Sequence, residues 1–373
     1  MRVKVIWPLK FVYDMSEGGA TGVLAAMRGQ WASMTGMAFM FVSTILIGLS
    51  VQPIYNIPEA RAFGEEGASK GAFVALELAM IGIFTIVIIW LARRGLDFFI
   101  KAIVLFALWM SLFYALQPYV ALILYFLGLD TLYVVALLSI VISSGSIYLL
   151  HIFPEWYVVN GVGIMVGAGV ITLIGVSFVP VLIIGFMIAA AIYDYWAVNG
   201  SKHMLELADT MIDLKLPVLL VAPKNADYSF IEEDDSVMRD KEIEVTKMDW
   251  NDPVPDIKKE GGPTKGRDAL FMGLGDVIFP GMLVISSVSF LPQTGGEVTY
   301  FSAFGVMYAD SLTVAMGTLF GGLLGYFALM TQVARGKPQA GLPLLNGGSI
   351  LGYLVSGYFA LGIDNLWQDI TFF

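Results

Sequence analysis

Two aspartates sit where a carboxylate is costly. Asp194 lies in the apolar run VLIIGFMIAAAIYDYWAV, residues 181–198, and Asp276 in FMGLGDVIFPGMLVISSVSFL, residues 271–291. An ionised carboxylate inside a bilayer costs at least a few kcal/mol, so an aspartate there is a functional candidate by default. Two carboxylates a few ångströms apart cannot both ionise cheaply, and they share one proton. The charged member then acts as general base toward a water. The protonated member hydrogen-bonds a carbonyl and later helps to protonate a leaving amine. Gly273 and Gly275 bracket Leu274 just before Asp276. Glycine removes the side chain where another backbone must come close, and a peptide cut inside a bilayer needs an extended segment at the carboxylates. Close helix packing is an equal reading of these glycines, since small residues line membrane interfaces. Tyr193 precedes the other aspartate. Its hydroxyl can orient substrate or carboxylate, or its ring can serve as an apolar wall.

The elements that must carry these residues follow from composition. The chain has no Cys, which excludes disulfides and thiolate chemistry, and its two His leave little room for a metal site. Hydrophobic residues make up 57% and charged residues 14%, outside the range of ordinary soluble domains. Several runs of about 20 apolar residues predict an all-α, polytopic membrane protein. The net charge of −10 gathers largely in residues 227–260, so it implies neither a basic partner nor nucleic acid. The opening MRVKVIWPLK is not followed by a signal-peptide pattern.

Nine transmembrane helices are expected, at 31–51, 72–92, 98–116, 131–150, 158–176, 180–199, 269–291, 310–333 and 342–362. Gln117-Pro118 is read as the end of the third, although apolar character continues to Leu127. HIFPEWY, residues 151–157, reads as an interfacial turn with aromatic anchors. The chain then divides into a six-helix part, 1–199, a cytoplasmic loop, 200–268, and a three-helix part, 269–373. Within the loop, VLLVA between Pro217 and Pro223 reads as extended. The acidic residues 231–266 read as disordered, and Glu232 to Asp235 as a solvated face. With the N-terminus in the cytoplasm, cytoplasmic segments hold 19 of the 21 Lys and Arg. Only Arg61 and Lys70 fall outside, as the positive-inside bias requires. The C-terminus is then outside, and the location is the cell membrane, multi-pass.

On these spans Asp194 stands roughly 9 Å from the inner end of the sixth helix and Asp276 roughly 11 Å into the seventh, at about 1.5 Å per residue. The two share a depth. Gly317, Gly321 and Gly325 recur every fourth residue on the eighth span, a face for close packing. Gly163, Gly167 and Gly169 on the fifth read likewise. Glu77 reads as snorkelling to the outer surface, with a gate or ion role as the rival. Arg93-Arg94 is a topology anchor, and Asp310 is solvated at the outer end of its span.

At these residues the sequence resembles the presenilin and signal peptide peptidase family of intramembrane aspartyl proteases. Tyr193-Asp194 is similar to the family's YD motif on the sixth helix, and Gly273-Leu274-Gly275-Asp276 to its GxGD motif on the seventh. Pro343, Leu344 and Leu345 stand where the family has Pro-Ala-Leu, with Leu in place of the middle Ala. Lys202-His203-Met204, PVLLVAPKNADYSF at 217–230 and GLPLLNGG look most like the archaeal presenilin homologues. The cytoplasmic N-terminus matches the presenilin orientation, whereas signal peptide peptidases are inverted. The resemblance implies that Asp194 and Asp276 are the catalytic pair. It implies that Tyr193, Gly273, Leu274, Gly275, Pro343, Leu344 and Leu345 shape the substrate cleft, where substrate adds a strand. It further implies cleavage within transmembrane segments of other membrane proteins, with water as co-substrate and neither metal nor organic cofactor. Membrane lipid is the surrounding partner, and an oligomer is left open. Two rivals remain at this point. One is an ion- or proton-coupled secondary transporter, which also buries carboxylates at mid-membrane. The other is a catalytically silent protein of the same fold.

Overall fold

In hydrocarbon the backbone must satisfy its own hydrogen bonds, so long apolar runs become helices. The computed structural model describes residues 19–62, 64–129, 131–198, 219–225, 228–229, 269–298, 305–333 and 340–371. Among these residues there are nine helices of 17 residues or more. They are α1 (Gly19–Tyr55), α2 (Gly71–Arg93), α3 (Asp97–Phe126), α4 (Leu132–Ile152), α5 (Trp156–Gly175), α6 (Pro180–Trp196), α7 (Leu274–Phe290), α8 (Ala309–Val333) and α9 (Leu342–Ala360). By length and composition α1 to α5 and α8 can each cross a membrane. The helices α6 and α7 are apolar but only 17 residues long. At about 1.5 Å per residue that is roughly 26 Å, short of a 30 Å hydrocarbon core.

For α7 the shortfall lies at its aspartate. The run expected to be helical from 269 instead opens as a strand, β2 (Ala269–Gly273). It pairs antiparallel with β1 (Leu219–Pro223), Leu219 opposite Gly273 and Pro223 opposite Ala269. Strand β1 falls in the stretch expected to be extended. A short apolar run does not distinguish strand from helix by its own periodicity. Here a second apolar strand supplies the ladder, and α7 starts five residues later than its apolarity suggests. Two other boundaries differ. Helix α3 continues through Pro118 to Phe126, and α1 continues through Pro53 to Tyr55. A proline removes one N–H but does not end a helix that neighbouring helices support. The turn expected at 151–157 lies between α4 and α5. The acidic stretch 231–266, with Glu232 to Asp235, lies outside the described residues, as do Lys202 and His203.

The core is centred on α5, which packs against α1, α3 and α7. Helices α2 and α4 leave most of their surface uncovered. Small residues set the spacing: the Cα of Gly281 lies under Ile171, and that of Gly175 under Ile285. Gly167 and Gly169, expected at a close-packed face, lie against Thr44 of α1 and Ala115 of α3. Gly317, Gly321 and Gly325 of α8 face Ser356, Gly352, Gly348 and Leu344 of α9, as their spacing predicts. Polar side chains fix the remaining joints. Thr172 Oγ1 donates to the Gly48 carbonyl at 3.0 Å, and Ser286 Oγ to the Phe178 carbonyl at 2.7 Å. Tyr326 OH donates to the Met34 carbonyl at 2.8 Å.

Candidate active site

Asp194 is carried inward by its own helix. Ile183, Met187, Ala190 and Asp194 are buried along one face of α6, the spacing of a single helical stripe. Asp194 is only 7% exposed, while Tyr193 and Tyr195 beside it point out. Asp276 is the third residue of α7 and is half-buried. Gly273, the N-cap residue of α7, lies against its carboxylate: a Cβ built there would stand 3.5 Å from Asp276 Oδ2. A carboxylate in the first turn of a helix faces the N–H groups that the helix start leaves orphaned. Asp276 lies in the first turn of α7, closer to that helix end than the roughly 11 Å expected, because α7 begins at Leu274. Asp194 stands two residues before Trp196, after which the helix continues as a π turn through residues 197–198.

The third motif brings them together. The Leu342 N–H donates to Asp194 Oδ2 at 3.2 Å. A methyl group built on Gly341 would lie 3.1 Å from Asp276 Oδ2 and 3.3 Å from both its Oδ1 and Cγ. The two carboxyl groups thus flank a single peptide unit. Pro343, in the first turn of α9, fits there because first-turn N–H groups have no intrahelical partner. The preceding N–H, that of Leu342, is left for the carboxylate.

The other candidate residues divide. Gly273 abuts the Asp276 carboxylate, and Gly275 is exposed beside Phe279. Leu274 is buried against Gly167 of α5, and Leu345 is fully buried under Gly325 of α8. Those two hold the motifs in place from behind. Leu344 is half-buried, with its carbonyl against Gly325. Tyr193 is 40% exposed, its ring 6.3 Å from that of Trp196. A cavity of about 100 Å³ opens beside Asp276, walled by Met37, Leu270, Met272, Met330 and Gly341 among others. At roughly 30 Å³ per water it has room for a few water molecules. Among the described residues no group of three His, Asp or Glu side chains could hold a metal ion.

Two residues not singled out from sequence complete the arrangement. Asn160 of α5 donates from Nδ2 to the Val221 carbonyl at 2.7 Å, and its Oδ1 accepts from the Val221 N–H at 2.8 Å. Ser33 of α1 donates to the Pro223 carbonyl at 2.8 Å. Side chains therefore occupy the outer edge of β1. Since Val221 turns its N–H and C=O away from β2, the opposite residue Phe271 must turn its own away from β1. Ala269 and Gly273 do the same, two residues to either side. An asparagine at the head of an apolar run was the signal in the sequence; at 5% exposure its buried amide requires partners.

A family model described as signal-peptide peptidase, presenilin aspartyl protease matches residues 37–363. The chain belongs to this family. Two solved structures agree, both described as a presenilin family intramembrane aspartate protease, one in space group C222 and one in P2. Their identities are 25% and 26%, each with a TM-score of 0.54, covering 89% of this chain and 100% of the other. No curated protein matches the chain. The protein is an intramembrane aspartyl protease, with several apolar helices of membrane-spanning length. For such a protease the hold of Asn160 on β1 has a measurable consequence. Asn160→Leu removes two buried hydrogen bonds, about 2 kcal/mol at roughly 1 each. Cleavage of a transmembrane peptide should fall by up to about 30-fold, the rate equivalent of that loss at about 1.36 kcal/mol per tenfold, with the global fold kept. Unchanged cleavage would mean that β1 has no part in the reaction.

Proposed function

We propose that Asp194 and Asp276 are the catalytic pair, and that they hydrolyse peptide bonds within transmembrane segments of other membrane proteins. The observation that carries this reading is the single peptide, Gly341–Leu342, flanked by both carboxyl groups. One aspartate is charged and activates a water. The other is protonated, hydrogen-bonds the scissile carbonyl and passes its proton toward the leaving nitrogen. Water reaches the pair through the cavity beside Asp276. The substrate unwinds and adds as a strand at β2, next to Asp276. Gly273 and Gly275 give the incoming backbone room. Pro343 and Leu344 border the same cleft, with Leu345 and Leu274 packed behind it, and Tyr193 forms its lipid-side wall.

In this reading all nine helices cross the bilayer, the N-terminus is cytoplasmic and the C-terminus is outside. The 200–268 loop, between the six-helix part and the three-helix part, returns to the membrane through β1. The surrounding membrane is the cell membrane. The pair then lies near the cytoplasmic face, because both aspartates occupy cytoplasmic helix ends. A labelled single-span peptide of known orientation, reconstituted with the enzyme in liposomes, should be cut within about two turns of its cytoplasmic end, or roughly 11 Å. Mass analysis of the fragments reads the position. A cut in the outer half of the peptide would overturn the orientation, and no cut with any of several substrates would overturn the proposal.

A further inference from the structure

Asn346 is the fifth residue of α9 and is 1% exposed. Its Nδ2 donates to the main-chain oxygen of Met187 on α6 at 2.9 Å. One turn earlier on the same face of α9, the Leu342 N–H donates to Asp194 at 3.2 Å. Met187 and Asp194 are themselves two turns apart on the buried face of α6. The two helices are therefore stitched at two levels, antiparallel to one another. One stitch is at the carboxylate, and the other is roughly 10 Å along α6 at 1.5 Å per residue.

Packing does not account for an asparagine here. Its Oδ1 is buried with no hydrogen-bond partner among the described residues, and such an orphan acceptor is unfavourable. A leucine of similar volume would fill the space without it. What the amide adds is a directional donor. The opposite side of α9 lies on the glycines of α8, with Gly348 against Gly321 and Gly352 against Gly317. A glycine contact sets how far apart two helices lie, but it leaves them able to slide or turn. A hydrogen bond to one particular carbonyl fixes the register.

We propose that Asn346 is a positioning residue for hydrolysis. Its amide clamps α9 to α6 at the register in which the Leu342 N–H meets Asp194. The inference rests on the reading of Asp194 as catalytic.

The test uses the full chain purified in detergent and a labelled transmembrane peptide. Asn346→Leu should lower kcat about 10- to 30-fold and leave KM within about 3-fold, because register affects the reacting geometry more than substrate docking. Amide exchange across 341–346 should quicken at least about 10-fold as the second stitch is lost. Exchange across 317–325 of α8 should stay the same. Asn346→Ala adds nothing to the packing and should show the same split if the leucine variant does not fold. The proposal is overturned if a folded variant keeps kcat within about 2-fold of wild type. It is also overturned if the loss of activity only follows a loss of folded protein. Asp194→Asn, assayed alongside, separates the two claims. If it still cleaves, the reading of the pair has failed. If it is inactive while Asn346→Leu cleaves like wild type, only the clamp has failed.

Discussion

Asp276→Asn and Asp194→Asn are each expected to lower kcat for a transmembrane peptide by about 10³-fold or more, within the 10²–10⁴-fold range of positioned acid–base groups and beyond it if no bypass exists. KM should change little. Asparagine is the informative replacement because it keeps the structural contacts. At position 276 it has the same size and keeps a polar oxygen against Gly273 at the start of α7. At position 194 it can still accept from the Leu342 N–H. Both variants should fold and bind substrate, so the lost activity reports chemistry. The double variant should be no worse than either single one, since the two groups act as a unit and such effects are not additive. Cleavage above a tenth of wild type in either variant would remove that aspartate from the pair.

Gly321→Leu is expected to be the most damaging substitution away from the carboxylates. A side chain at Gly321 would meet the Gly348 carbonyl, with the Cα of Gly352 at 2.9 Å and its N at 3.0 Å from the new Cβ. All three are backbone atoms, which cannot rotate away. Overpacking of this kind costs about 3 kcal/mol or more. The cost has a functional side, because α9 carries Leu342 to Asp194. Forced off α8, it cannot hold that contact. Thermal unfolding in detergent should show a lowered midpoint, and cleavage should fall with it. Gly347→Ala, on the facing helix α9, is the control. A methyl group there meets nothing within 4 Å, so stability should stay the same or rise by up to about 1 kcal/mol, from the better helix propensity of alanine. If Gly321→Leu unfolds at the wild-type temperature, α8 and α9 are not held together by this glycine face.

The sequence by itself determined the class of the molecule and singled out two aspartates as the candidates for its chemistry. Apolar runs of membrane length leave a backbone no choice but helix, so nine helices could be placed from composition alone. An aspartate within such a run is too costly to be incidental, so Asp194 and Asp276 stood out before any geometry was known. The four-residue glycine spacing on α8 predicted its packed face, because that signal is local to one helix. Other features depend on partners distant in the chain, and no local periodicity encodes them. The start of α7 shifted to Leu274 because β1, about 50 residues earlier, offers Ala269–Gly273 a ladder. Asn160 acquires its role only from Val221, 61 residues away in the chain, whose N–H and C=O it holds. Asn346 read as the tail of a motif until Met187 was found to be its acceptor. The meeting of the carboxylates is of the same kind. It is set at Gly341 and Leu342, where α9 is pressed between the glycines of α8 and the buried face of α6. Residue types fix what a group can do, but only interhelical packing fixes what it faces.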